Sequence, residues 1–170
     1  NEPISGGIYV ISDKGALLSE IMINEGFSGG DSTTVVFKKV NNDGKSEIIV
    51  STIGRAAYGL KEKLYVFDGS GNVLNGWPVE SFGTSGSFEE PAVFKDSLTG
   101  EKIIVTYNHW SYNQSLTAYL INGTVKWSFF GARGYTIGST PYVADLDRDG
   151  QLEIIFDGYD RYLYIVNEQG

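Results

Sequence analysis

Four times along the chain a tyrosine sits in a short apolar run followed by a polar turn with a glycine: "GIYVISDKG", "KLYVFDGSG", "TAYLINGT" and "YLYIVNEQG". Their residue numbers, Tyr9, Tyr65, Tyr119 and Tyr164, differ by 56, 54 and 45. Ahead of the last three lies a second shared unit, an apolar strand, a polar loop and a β-branched strand: "TTVVFKKVNNDGKSEIIV", "EEPAVFKDSLTGEKIIV" and "STPYVADLDRDGQLEIIF". A repeat of this length constrains the fold strongly. Each unit is too small to bury its own apolar face, so successive units must cover one another.

Within each unit the residues alternate or run apolar over four to eight positions between glycine-rich turns, which is the pattern of strands. Strands are expected near residues 7–12, 34–38, 47–52, 63–68, 91–95, 102–107, 116–121, 140–144, 152–156 and 162–167. "NVLNGWPV" and "TVKWSFF" supply a fourth strand after two of the tyrosine turns, and "ALLSEIMI", residues 16–23, occupies the same place after the first. The 22 glycines, 14% aromatic residues and 4 prolines suit many short strands joined by turns, and no stretch has sustained helical periodicity. The fold class expected is all-β.

Four antiparallel strands in a unit of roughly 40 to 50 residues is the pattern of a propeller blade. The expected organisation is one domain over residues 1–170, with a partial blade at 1–30, whole blades at 31–84 and 85–131, and a second partial blade at 132–170. That makes a β-propeller fragment of about three and a half four-stranded blades. Closed propellers usually need at least four blades. The chain therefore reads as a processed or excised piece, whose open edges are covered by other copies or by the remaining blades of a larger propeller.

In the last unit Asp145, Asp147 and Asp149 stand at alternate positions, followed by Gly150. Three like charges this close repel one another and must be compensated, with a bound hard cation the leading candidate and a solvated acidic turn without an ion the alternative. An EF-hand is a poor fit. Phe156 occupies the twelfth loop position, where that motif has a bidentate glutamate, and the flanks are strands rather than helices.

Pro141, the apolar pair after it, "ADLDRDGQLEII", a tyrosine strand and the "NEQG" turn together resemble the FG-GAP or VCBS repeat of integrin α subunits and many secreted bacterial proteins. "DGSGNVLNGWPV" is similar to the turn and outer strand of such repeats. The resemblance implies a structural calcium ion held by Asp145, Asp147, Asp149, the Gln151 carbonyl and Glu153. It also implies an extracellular or cell-surface setting. In the first repeat Lys39, Asn41 and Asp43 replace the three aspartates, with Gly44 and Glu47 in register. Lys39 can replace the ion there by pairing with Asp43 or Glu47, which leaves metal binding in that loop open. The second repeat, "FKDSLTGEK", puts Lys102 in the glutamate position with a shorter loop, and no metal is expected.

The formal net charge is −8, which disfavours a nucleic-acid or anionic membrane partner. With no cysteine, disulfides, thiolate metal sites and a cysteine nucleophile are excluded. No apolar run reaches the roughly 18 residues needed to span a bilayer, so membrane insertion by a helix is not expected. His109 is the one histidine. It lies in "YNHWSYNQS", read as a polar-aromatic insertion between two strands, and His109, Trp110 and Tyr112 are the candidate ligand-contacting residues. Trp127, Phe129, Phe130, Tyr135, Tyr159 and Tyr162 are further aromatics read as loop residues, more often filling gaps between blades than meeting ligand. No catalytic constellation is visible. The function expected is a calcium-stabilised module that binds or scaffolds glycan or protein ligands, the alternative being part of, or an accessory to, a secreted hydrolase or polysaccharide-degrading enzyme.

Overall fold

The computed structural model describes residues 6–23, 34–52, 61–81, 86–110, 115–130, 140–158 and 160–170. These residues are all-β, with fourteen strands in four antiparallel sheets and no helix. The first sheet pairs β1 (Gly6–Ile11) with β2 (Leu17–Ile23). The second runs β3 (Val35–Lys38), β4 (Glu47–Ser51), β5 (Lys63–Phe67), β6 (Val79–Glu80) in chain order. The third contains β7 (Gly86–Phe88), β8 (Ala92–Lys95), β9 (Lys102–Trp110), β10 (Ser115–Leu120) and β11 (Val125–Phe129). The fourth runs β12 (Tyr142–Ala144), β13 (Glu153–Asp157), β14 (Leu163–Asn167).

The sheets stack face to face in chain order through three apolar cores. Ile21 and Ile23 of the first sheet meet Ile48, Val50, Tyr65 and Phe67 of the second. Ile49, Leu64 and Val66 of the second meet Phe88, Ile104 and Tyr119 of the third. Ile103, Val105, Leu116 and Ala118 of the third meet Ile154 and Phe156 of the fourth. Side chains alternate across a strand, so Ile48 and Val50 point one way and Ile49 the other. A strand between two neighbours must then be apolar on both faces. All five residues of β4 are buried, whereas β14 alternates exposed and half-buried.

One contact recurs at every interface. Ser12, Asp68, Leu120 and Asn167 each accept from the N–H of a glycine three residues on, namely Gly15, Gly71, Gly123 and Gly170. All four glycines have positive φ, a conformation costly for residues with a Cβ. Three of these turns abut the outer strand region of the preceding sheet: a Cβ on Gly71 would lie 2.9 Å from Ile21, one on Gly123 2.1 Å from the Gly76 carbonyl oxygen, and one on Gly170 2.8 Å from Trp127. Two tryptophans fix the same junctions. Trp77 Nε1 donates to the Ile121 carbonyl (2.7 Å) and Trp127 Nε1 to the Glu168 carbonyl (2.9 Å).

The turns correct the repeat phase. Aligned on their glycines, Tyr9, Tyr65 and Tyr164 are equivalent, but Thr117 takes that place in the third sheet. Tyr119 stands two residues further along on the same face, which packs on the second sheet, with its ring 5.8 Å from that of Trp77. The fourth strand read in "NVLNGWPV" is mostly turn: Val73 makes an isolated bridge to Phe67, and pairing resumes only at β6. The insertion read at "YNHWSYNQS" is in part strand, because β9 continues through His109 and Trp110, which pair with Ser87 and Gly86 of β7. Tyr112, Tyr135 and Tyr159 lie outside the described residues. Trp127 and Phe129 are not loop residues: they belong to β11 and pack on the core between the third and fourth sheets.

Candidate metal centre

The loop between β12 and β13 is built by carboxylates that accept from backbone N–H groups. Asp145 accepts from Gly150 (3.1 Å), Asp147 from Asp149 (3.2 Å) and Asp149 from Gln151 (2.8 Å). Gly150 has φ of 90° and Arg148 φ of 66°, and these left-handed residues curl the backbone inward. As a result one carboxylate oxygen from each of Asp145, Asp147 and Asp149 lies within 4.8 Å of the others. All three are exposed. Among the described residues no lysine or arginine forms an ion pair with them.

Glu153 stands outside this cluster. Its Oε2 accepts from the N–H of Leu146 (2.8 Å), which fastens the loop entrance to β13. Gln151 uses its side-chain amide on Asp149 (3.1 Å). Three of the five expected ligands are thus brought together by their side chains, while Glu153 fastens the frame around them.

The two sister loops isolate what the aspartates add. In the loop after β3, Glu47 accepts from Val40 N (2.8 Å), Asn41 from Asp43 N (2.9 Å) and Asp43 from Lys45 N (2.8 Å), the pattern of Glu153, Asp147 and Asp149. In the loop after β8 the Thr99 hydroxyl accepts from Glu101 N (3.3 Å). Neutral Asn41 and Thr99 therefore suffice for turns that Asp147 and Asp149 also make. At the position of Asp145 both sister loops carry a lysine, Lys39 and Lys95, and Lys95 Cε lies 3.5 Å from where a Cβ on Gly100 would stand.

Strand register also corrects the alignment of the second loop. Phe94 pairs with Ile103 as Ala144 pairs with Glu153, so Ile103 takes the glutamate position rather than Lys102, and the loop is as long as the others. There the buried Asp96 holds the loop from within. It accepts from Leu98 N (2.9 Å) and Thr99 N (2.8 Å) and forms an ion pair with Lys126. A protein ammonium supplies the positive charge in that loop, a role for Asp96 and Lys126 that the sequence reading missed. The signal for it was an acidic residue displaced by one position from the aspartate frame.

Of the candidate ligand-contacting residues, His109 and Trp110 are placed at the end of β9, away from the loop between β12 and β13, and Tyr112 lies outside the described residues. A cleft of about 410 Å³ lies elsewhere, beside β3, β8 and β12, lined by Lys38, Glu90, Pro91, Thr140, Pro141 and Tyr142 among others. Compared with family models, curated proteins and solved structures, the chain matches none.

Proposed function

We propose that the chain is part of a calcium-stabilised β-propeller of the FG-GAP or VCBS kind, an extracellular or cell-surface module that binds or scaffolds glycan or protein ligands. The observation that carries the metal reading is the convergence of three carboxylates in a loop where the turn made by Asp147 is made by neutral Asn41 in one sister loop and that made by Asp149 by neutral Thr99 in the other. Carboxylates in excess of what the turn requires raise its electrostatic cost unless a cation is bound. An all-oxygen set of Asp145, Asp147 and Asp149, with the Gln151 carbonyl and Glu153 close in sequence, suits calcium, which takes six to eight oxygens in flexible geometry. Zinc prefers nitrogen and sulfur ligands, and magnesium is reluctant to give up its water shell.

The ion's role in this reading is structural: it ties the ends of β12 and β13 together and shields the loop's negative charge. The stacked, sequential antiparallel sheets support the propeller reading. The cleft beside β3, β8 and β12 is lined by the polar Lys38, Glu90 and Thr140 together with Pro91, Ala92, Val93 and Val143, a mixed surface on which a ligand could be tested.

Thermal unfolding in calcium and in chelator tests the metal reading. A ligand bound only by the folded state adds RT ln(1 + [L]/Kd), about 2.7 kcal/mol when free calcium is a hundredfold above Kd. Calcium should raise the midpoint of the native chain and leave that of Asp147→Ala unchanged. An equal rise in both, or none in either, removes the site from this loop. A glycan array probed with the native chain tests the ligand class.

A further inference from the structure

The stack ends on two largely apolar sheet faces that repeat the faces buried inside it, with Glu20 across from Tyr9 on the first sheet and Asp157 across from Leu163 on the fourth. On the fourth sheet, Tyr142, Leu163 and Ile165 are 70%, 67% and 55% exposed and surround the half-buried Ile155. Strand register makes these four the counterparts of Val36, Ile49, Leu64 and Val66. In the second sheet that set forms the face packed on the sheet that follows. On the first sheet, Tyr9, Ile11 and Met22 are 56%, 60% and 49% exposed, while Ile8, Val10, Ile21 and Ile23 face the second sheet. By the turn alignment Tyr9 and Ile11 are the counterparts of Tyr65 and Phe67, which pack on the sheet that precedes them.

The two end faces are therefore opposite in kind. One is built to receive a following sheet, the other a preceding one. The first turn carries the same mark: Gly71, Gly123 and Gly170 are each covered by the preceding sheet, whereas a Cβ on Gly15 would meet nothing within 4 Å among the described residues. The three cores join sheets one to four in series, and among the described residues none joins the fourth to the first.

We propose that the outward face of the fourth sheet docks on the outward face of the first sheet of a second copy of this chain, head to tail. The occupant follows from continuity with the three interfaces already present, since among the described residues each end face finds its matching type at the other end of the stack. Few strands are no obstacle. The two-stranded first sheet already buries Ile21 and Ile23 against a four-stranded neighbour, and the three-stranded fourth sheet does so with Ile154 and Phe156. A head-to-tail contact is heterologous, so two copies can close a ring with two such contacts, and copies that do not close extend a filament. The proposal goes beyond the metal reading and does not require the ion.

The test is sedimentation of the full chain over a range of concentrations, in calcium and in chelator. Two double variants are compared with it, Leu163→Asp with Ile165→Asp on one end and Ile11→Asp with Met22→Asp on the other, with serine at the same positions as milder substitutes. Circular dichroism confirms that each variant is folded. The native chain should gain mass with concentration, and each double variant alone should stay monomeric at concentrations at least tenfold higher. An equal mixture of the two variants should form a one-to-one dimer, because each retains the face the other has lost. A native chain that stays monomeric, association surviving in one variant alone, or a mixture that stays monomeric overturns the proposal. A second copy docked face to like face would give the second of these results, and a foreign partner the first.

Discussion

Asp96 is 1% exposed, and its carboxylate serves two backbone N–H groups and the Lys126 ammonium. Lys126→Met should destabilise the chain by about 3 kcal/mol, because removing one partner leaves a charge buried without its counter-ion. Urea unfolding measures this, and the paired Asp96→Asn/Lys126→Met chain should recover part of the loss. Gly76 has less latitude. Its φ is 89°, and a Cβ there would lie 1.8 Å from the Asn122 carbonyl oxygen. Gly76→Ala should therefore cost at least about 2 kcal/mol, since left-handed strain alone costs a non-glycine residue about 1 to 2 kcal/mol and the backbone must also move. Gly150→Ala, with a similar φ but nothing within 4 Å of its Cβ, should cost only the strain.

The third sheet carries a titration that reports its packing. Burial raises the Tyr119 hydroxyl from 10.0 to about 12, partly offset by its hydrogen bond with Thr117, and burial raises that of Tyr107 further. A phenol whose folded pKa lies above its unfolded one ionises first in the unfolded chain. Its contribution is complete below pH 10 and is lost as the pH climbs from 10 towards 12. Two pH units correspond to roughly 2 to 3 kcal/mol. Unfolding free energy should fall over that window, and Tyr119→Phe should flatten the fall without abolishing it, because Tyr107 still titrates. This sheet also marks the limit of what the sequence discloses. Its strands could be read from "AVFK", "KIIVTY" and "SLTAYL", where apolar runs meet turns. Tyr119 was misplaced by two residues along its strand because positions i and i+2 share a face and either can carry the tyrosine, and only the turn hydrogen bonds fix which is equivalent. β7 left no pattern at all: "GSF" becomes a strand because β9 runs past β8 and offers it an unpaired edge. The candidate metal loop was legible because its pattern is local: Asp145, Asp147 and Asp149 lie within five residues and converge in one turn. The Asp96–Lys126 pair was not, because it joins residues 30 apart across a strand register the sequence does not print.

At the scale of the molecule, the apolar cores among the described residues join the four sheets in series, so stability is treated as a sum of each sheet's own pairing and its contacts with one or two neighbours. β4 and β10 are buried along most of their length, whereas β1 and β14 each expose one face. Local opening costs least where few apolar groups are buried, so hydrogen exchange should run from the ends inward. In dilute chelated solution, amides of β4, β9 and β10 should be the slowest and those of β1 and β14 the fastest. The proposed calcium site adds a second expectation, because an ion held between Asp145 and Asp149 would tie β12 to β13 and would not touch the first sheet. Protection should rise at Ile154 and Ile155, rise less in β10, and stay unchanged at Val10 and Ile21. Mass-resolved exchange of peptides from both ends, with and without calcium, measures it. A uniform rise across all four sheets would mean that the stack opens only as one cooperative unit, and the serial account of its stability would then fail.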